Sequence, residues 1–198
     1  MMKKTILSLL VFLCSLILSA QAPAPLEGQA RDKAISSVLK ANDIRTSLQL
    51  RFTMKRHSSL LKEDLVSRGR AFYVYPDKLR WEVEQPQASV FVLNGTANVD
   101  RRFQNLYRNL SKIQEKGLIN ETDFSVKVYA APGQWQVDMV PLRRDLGQLF
   151  ALITLLADSA TGELRAIVLT ETSGDTSYLE LNSVVKGQPI DESLFKQP

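Results

Sequence analysis

Cysteine and histidine are almost missing from this chain, which has one of each in 198 residues. Cys14 lies inside an N-terminal apolar run, so the remainder offers no disulfide, no thiolate metal site and no cysteine nucleophile. His57, within Lys55-Arg56-His57-Ser58-Ser59, reads as a solvated loop residue. A serine triad would need that imidazole held by a carboxylate beside a Gly-x-Ser-x-Gly elbow, and no such elbow is written here. Clustered His or Cys for a metal, a glycine-rich phosphate loop and the interleaved aromatic and basic residues of a nucleic-acid platform are missing too. Charge of one sign is scarce: the formal net charge is +4, falling to about +2 without Lys3 and Lys4, too little to call for a polyanion. Glu82 and Glu84 stand two apart on one strand face, the arrangement of a glycosidase carboxylate pair, but the ordinary reading is the wet side of a strand. The sequence therefore predicts no catalytic residue, no metal, no cofactor and no nucleic-acid partner.

What is present begins with a leader. Lys3-Lys4, an apolar run from Ile6 to Leu18 and the small-residue exit Ser19-Ala20-Gln21-Ala22 have the three parts of a secretory signal peptide. Cleavage after Ala20 leaves about 178 residues. Leu13 precedes Cys14 where a lipoprotein signal wants a small residue, so no lipid anchor is expected. No later stretch has the roughly 18 apolar residues of a membrane span. Leu146 to Ala157 comes nearest, but Gly147, Gln148 and Thr154 interrupt it. The expected organisation is a leader over 1–20, a linker over 21–29 containing Pro23-Ala24-Pro25, and one domain over 30–198.

Within that domain the hydrophobic period changes several times. Ala30, Ala34, Ile35, Val38 and Leu39 recur at helical spacing, and Asn42-Asp43 ends the element. Leu48, Leu50, Phe52 and Met54 then alternate with Gln49, Arg51, Thr53 and Lys55, the period of a strand. Further strands are expected at about 63–75, 78–85 and 88–94, cut by Pro76, Pro86 and Asn94-Gly95. A second amphipathic helix, 101–117, carries Phe103, Leu106, Leu110 and Ile113 on one side and stops at Gly117. Strands return at 124–130, 135–140, 148–157, 163–171 and 176–185, although Leu142, Leu146, Leu149 and Ile153 also fit a helical face. Short strands at regular spacing with two helices predict a mainly β (α+β) fold, an antiparallel sheet of about nine to eleven strands curled into an open or closed barrel. Candidates for its inner face are Leu50, Phe52, Phe72, Leu79, Trp81, Phe91, Trp135 and Val137. Such a barrel either fills its interior with side chains or holds a ligand.

The run Gly69-Arg-Ala-Phe-Tyr-Val-Tyr-Pro76-Asp-Lys-Leu-Arg-Trp81-Glu-Val-Glu-Gln-Pro86, followed by Asn94-Gly95, resembles the hallmark of the periplasmic outer-membrane lipoprotein carrier family, LolA. Phe52-Thr53 after an N-terminal helix, the paired strands from Phe124 to Pro141, the strand–turn–strand from Asp158 to Asn182 and Ile190-Asp191 before Phe195 extend the likeness in order. The resemblance implies an unclosed antiparallel barrel lidded by helices, with an apolar cavity for lipoprotein acyl chains. It makes the eight inner-face candidates cavity walls, and Ile35, Val38, Leu39, Phe103, Leu106 and Leu110 lid residues. It also implies a periplasmic, unanchored monomer that takes acylated lipoproteins from an inner-membrane exporter to an outer-membrane acceptor. A lipid-sensing regulatory module, or a carrier of another envelope lipid such as a glycolipid or pigment precursor, stands as the alternative. One departure concerns the lid: where the family carries Arg before the Pro of the first hallmark strand, this chain has Tyr75, so its latch must differ.

Overall fold

The computed structural model describes residues 24–43, 45–95 and 117–196. Helix α1, Gly28–Ala41, is followed by strands β1 Ser47–His57, β2 Leu65–Val74, β3 Lys78–Gln85 and β4 Ser89–Asn94. Further along the chain come β5 Phe124–Ala131, β6 Gln134–Pro141, the single-turn helix α2 Arg144–Gly147, β7 Phe150–Asp158, β8 Leu164–Glu171 and β9 Thr176–Lys186. A 3-10 turn, Glu192–Phe195, closes the described chain. The expected leader, the beginning of the linker and the expected second helix, with Phe103, Leu106 and Leu110, lie outside the described residues. Of the segment expected as linker, Leu26 donates its backbone N–H to Val128 O at 2.6 Å and packs on the core, and the helix begins at Gly28.

All nine strands form one antiparallel sheet in the order β4-β3-β2-β1-β9-β8-β7-β6-β5. The two ends of that order do not pair with each other, so the sheet is open. Every neighbouring pair except β1–β9 is a sequential hairpin, which is what short turns between alternating runs produce. The ambiguous stretch after Leu142 resolves into both of its readings: α2 provides one helical turn that buries Leu146, and the strand starts at Phe150.

Register fixes which residues share the concave face. Phe52 pairs with Gly69 and Leu181, Ala71 with Trp81, and Trp81 with Phe91; on the other half Val128 pairs with Val137, and Val137 with Leu155. Directly opposed residues point to the same side of a sheet. Two bulges flank β1 and β2: Asn182 is the extra residue in β9, because Phe52 faces Leu181 and Arg51 faces Ser183, and Glu84 is the extra residue in β3. A bulge increases local twist and bends the strand, so the pair curls the sheet around the Phe52–Gly69 level.

The main core lies under α1. Ala34 and Val38, one turn apart, are fully buried against Phe124, Val128, Val137, Met139, Leu155 and Ala157, with Ile35 and Leu39 packed alongside. Of the residues expected in a lid, Val38 has no exposed surface, and Ile35 and Leu39 pack beside it against the core.

Candidate functional site: a hollow in the curl of the sheet

A cavity of about 520 Å³ opens where α1 stops covering the sheet. Its apolar lining comes from β1 (Leu48, Leu50), β3 (Trp81), β8 (Leu164, Ile167) and β9 (Leu179, Leu181, Val184), with Leu118 beside them. That volume falls within the range of about 300–1,000 Å³ usual for small-molecule sites. Around it stand Asn42, Asp43, Asp158, Thr161, Glu163, Arg165, Asn182, Ser183 and Lys186. The bulge at Asn182 places the apolar set of β9: Leu179 and Leu181 alternate inward, and the parity then slips so that Val184, opposite Leu50, also faces in.

An aromatic stack supports the floor. Phe52, 1% exposed, lies over Trp81 with ring centroids 4.1 Å apart and planes 24° from parallel. Gly69 makes room for it. A Cβ there would stand 1.9 Å from Glu82 O and 2.8 Å from Phe52 Cζ, so any side chain would displace either the β3 backbone or the stacked ring. The hallmark glycine is thus explained by close approach across a bulge.

Behind the floor, on the convex face, Glu82 is buried between Arg70 and Arg80, with its carboxylate accepting from both guanidinium groups. Burial pushes the Glu82 carboxyl up, but the hydrogen bonds and charges of Arg70 and Arg80 outweigh it and hold it below the ordinary carboxylate value. Glu82 is therefore not on the wet side of the strand as expected; two cations and the C-terminal turn enclose this face. Lys78 bonds Glu192, Arg80 Nη1 donates to Leu194 O at 2.9 Å, and Asn94 Nδ2 donates to Phe195 O at 3.2 Å, while the Phe195 ring is buried. Glu84 remains exposed, 3.6 Å from Arg70 and 3.7 Å from Arg51.

The eight expected wall residues divide by place. Leu50 and Trp81 line the hollow, and Phe52 backs Trp81. Leu79 and Phe91 share the concave face beside Trp81 and Tyr73 without lining the cavity. Trp135 and Val137 are also concave, but they belong to the core under α1. Phe72 is on the convex face, opposite Gln49 and Arg80, with the Arg70 guanidinium 5.4 Å from its ring centroid. The run Phe72-Tyr73-Val74 is apolar on both sides, so its own pattern could not fix the parity; Gly69 opposite Phe52 does. Leu179 and Leu181 were missed, although their alternation with Tyr178, Glu180 and Asn182 was a readable signal.

Helix α1 is fastened at both ends. Asn42 Nδ2 donates to Val38 O at 2.8 Å and to Gly162 O at 2.9 Å, and Asn42 Oδ1 accepts from Leu164 N at 3.2 Å. Lys186 Nζ donates to Ala41 O. Gly162, at φ +79°, approaches the helix so closely that a Cβ would stand 2.5 Å from Ser37 O. At the other end Leu26 is bonded to β5, and Arg31 pairs with Glu121.

His57 ends β1 and is exposed, with Nδ1 2.8 Å from Asp64 Oδ1. Among the described residues no group of three or more His, Cys, Asp or Glu is placed to hold a metal, and no helix is long and apolar enough to cross a membrane.

No family model matches the chain. An outer-membrane lipoprotein carrier protein of Pseudoalteromonas translucida (strain TAC 125) is 25% identical over 131 residues, 61% of this chain and 62% of that protein. In sequence the chain is thus similar to a lipoprotein carrier protein over that stretch. The chain spans about 62% of the length of that curated relative. Among solved structures, the LolA superfamily protein NE2245 from Nitrosomonas europaea aligns over 82% of this chain and 97% of its own, at 10% identity and a TM-score of 0.44. The Pseudomonas aeruginosa MucA/MucB complex aligns over 84% of this chain and 60% of the matched one, at 13% identity and a TM-score of 0.46.

Proposed function

We propose that this protein is a periplasmic carrier that shields lipoprotein acyl chains and moves them from the inner to the outer membrane. The observation that carries this reading is the hollow bounded by Leu48, Leu50, Trp81, Leu164, Ile167, Leu179 and Leu181. An acyl chain loses roughly 0.8 kcal/mol per methylene on entering water, about 12 kcal/mol for some sixteen carbons. Apolar side chains lining a hollow offset that cost without forming a bond that must later be broken. Release to an acceptor then needs only a competing apolar surface of similar quality. The proposed partners are acylated lipoproteins, an inner-membrane exporter and an outer-membrane acceptor, and the carrier is proposed to act as an unanchored monomer, exported by its N-terminal leader. No side chain is given a catalytic role.

Native mass spectrometry of protein purified from the cell envelope tests the reading, followed by transfer of bound lipoprotein to acceptor membranes. Co-purified acyl cargo that passes to the membranes is expected. Bound lipid that never transfers would favour a lipid sensor, and cleaved products without bound lipid would favour an enzyme.

A further inference from the structure

Ranked by exposure, the large apolar side chains of the described residues point to one place. Leu60 is 91% exposed, Leu142 61%, Leu149 49% and Leu61 48%, and every other described large apolar residue is less exposed than these. All four stand in connections at the same end of the sheet. Leu60 and Leu61 are in the turn from β1 to β2, and Leu142 and Leu149 flank α2 between β6 and β7. β1 and β6 both finish at that end, because every pairing through β9, β8 and β7 is antiparallel. Asn42, Asp43, Asp158 and Lys186, from the polar border of the hollow, lie at the opposite ends of these strands. Single exposed leucines are common on protein surfaces, but a set gathered at one end marks a contact surface.

Hydrogen bonds and ion pairs join these connections. Leu61 N–H donates to Ser58 O at 3.0 Å, closing a turn, and Ser58 itself is buried. At the base of the same turn Asp64 is 2.9 Å from Lys55 Nζ and 2.8 Å from His57 Nδ1. Arg56 reaches across to the β8–β9 turn, 3.0 Å from Glu171 and 3.4 Å from Asp175. In that turn Thr172 donates its N–H to Leu149 O at 3.3 Å and its hydroxyl to Gln148 O at 3.2 Å. The three connections thus form one rim, and the four leucines are on its outside.

The shape and charge of this rim fit a phospholipid surface. A leucine standing almost free of its own protein needs a fitted pocket in a folded partner, whereas fluid acyl chains close around any apolar projection. Paired charges of both signs, Lys55 with Asp64, Arg56 with Glu171 and Arg143 with Asp145, stand among the same connections. They match the phosphates and amines of a zwitterionic headgroup layer. We propose that this end of the protein docks on the surface of a phospholipid bilayer, with Leu60 and Leu61 entering the acyl boundary and Leu142 and Leu149 adding apolar contact from the same rim. Binding of this kind scales with the apolar area buried, so a few leucines give a weak and reversible attachment. The proposal does not depend on what the hollow holds.

Flotation of protein purified from the cell envelope with vesicles of phosphatidylcholine and phosphatidylethanolamine tests it. The parent protein is expected to float with the vesicles and to stay bound at about 1 M salt, where charges are screened beyond about 3 Å. Leu60→Ser combined with Leu61→Ser should weaken binding about 100-fold, roughly tenfold for each leucine, at an unchanged melting temperature. Leu142→Ser should weaken it about threefold to tenfold. Leu60→Met keeps the apolar surface and should bind like the parent. Val185→Ser, at an exposed apolar position near the opposite end, should also bind like the parent. A parent protein that stays with the buffer, a double variant that floats equally well, or an equal loss from Val185→Ser would overturn the proposal. So would ultracentrifugation in which the parent self-associates and the double variant is monomeric, because the occupant would then be a second copy of this chain. Native mass spectrometry should find the same bound acyl lipid in parent and double variant, so the docking surface and the carrier reading fail separately.

Discussion

The two halves of the concave face are built from the same inward apolar chemistry and end up with opposite properties. Over β5, β6 and β7 the space above the sheet is filled by α1, and Val128, Val137, Leu155 and Ala157 are essentially without exposed surface. Over β9, β1 and β3 the residues in equivalent positions, Leu179, Leu181, Leu50 and Trp81, are only half-buried and bound a hollow. Among the described residues, what separates them is where a fourteen-residue helix stops and how its end is held. Facing inward therefore does not make a residue part of a binding site; the site is the part of the concave face left over once the helix has been seated.

The difference can be broken most forcefully by deleting the same atoms on each side. Leu155→Ala should cost about 3–5 kcal/mol in chemical denaturation, since it empties space in a packed core. Leu179→Ala should cost less than about 1 kcal/mol, because its side chain already borders a void, and should lower lipid affinity instead. Equal losses at the two positions would mean that the hollow is packed in solution.

Gly69→Ala attacks the hollow half from below. With a Cβ 1.9 Å from Glu82 O and 2.8 Å from Phe52 Cζ, the strand or the stack must move, and a destabilisation of about 3 kcal/mol is expected. The Trp81 fluorescence should shift as Phe52 is displaced, while contacts under α1 remain in place. An unchanged spectrum and unchanged stability would remove the structural role given to this glycine.

Glu82→Gln sharpens the comparison from the convex side, where Arg80 would lose its anionic partner and Arg70 the nearer of its two. A loss of about 2 kcal/mol near neutral pH is expected. Because the folded carboxyl is held below its ordinary value of 4.5, its stabilisation is fully present above that value and disappears as the pH falls through the lowered one. The parent protein should thus lose stability on acidification more steeply than the variant, and the two should converge in acid. Parallel curves down to the acid limit would contradict the assignment.

A more local effect is expected at the boundary itself. Asn42→Ala removes a helix cap and two tertiary hydrogen bonds, costing about 1–2 kcal/mol, with amide exchange speeding up at the C-terminal turn of α1 and at Gly162 before anywhere in β5 to β7.

Much of this was legible in the chain, for physical reasons that also mark where legibility ended. Strand positions followed from period-two runs ended by Pro76, Pro86, Asn94-Gly95 and Thr161-Gly162, and α1 from the three- and four-residue spacing of Ala34, Ile35, Val38 and Leu39. Parity was readable for Leu50 and Trp81, where polar and apolar residues alternate. It was not readable for Phe72, whose neighbours are apolar on both sides, nor for Val184, which faces inward only because a bulge at Asn182 shifts the register. Trp135 and Val137 were placed on the correct face. Only the seating of α1 shows that they lie in core, and that depends on contacts between residues 120 apart in sequence, such as Asn42 and Gly162.

The account stands or falls on hydrocarbon occupying the hollow half and no other part of the molecule. Nuclear Overhauser contacts from a ¹³C-labelled sixteen-carbon lysophospholipid to methyl-labelled protein measure this directly. Chain methylenes should contact Leu50, Leu179, Leu181 and Val184 and the Trp81 indole, with none to Val128, Val137 or Leu155. Contacts concentrated under α1, or a lipid in slow exchange that touches none of the β1, β3 and β9 side chains, would contradict it.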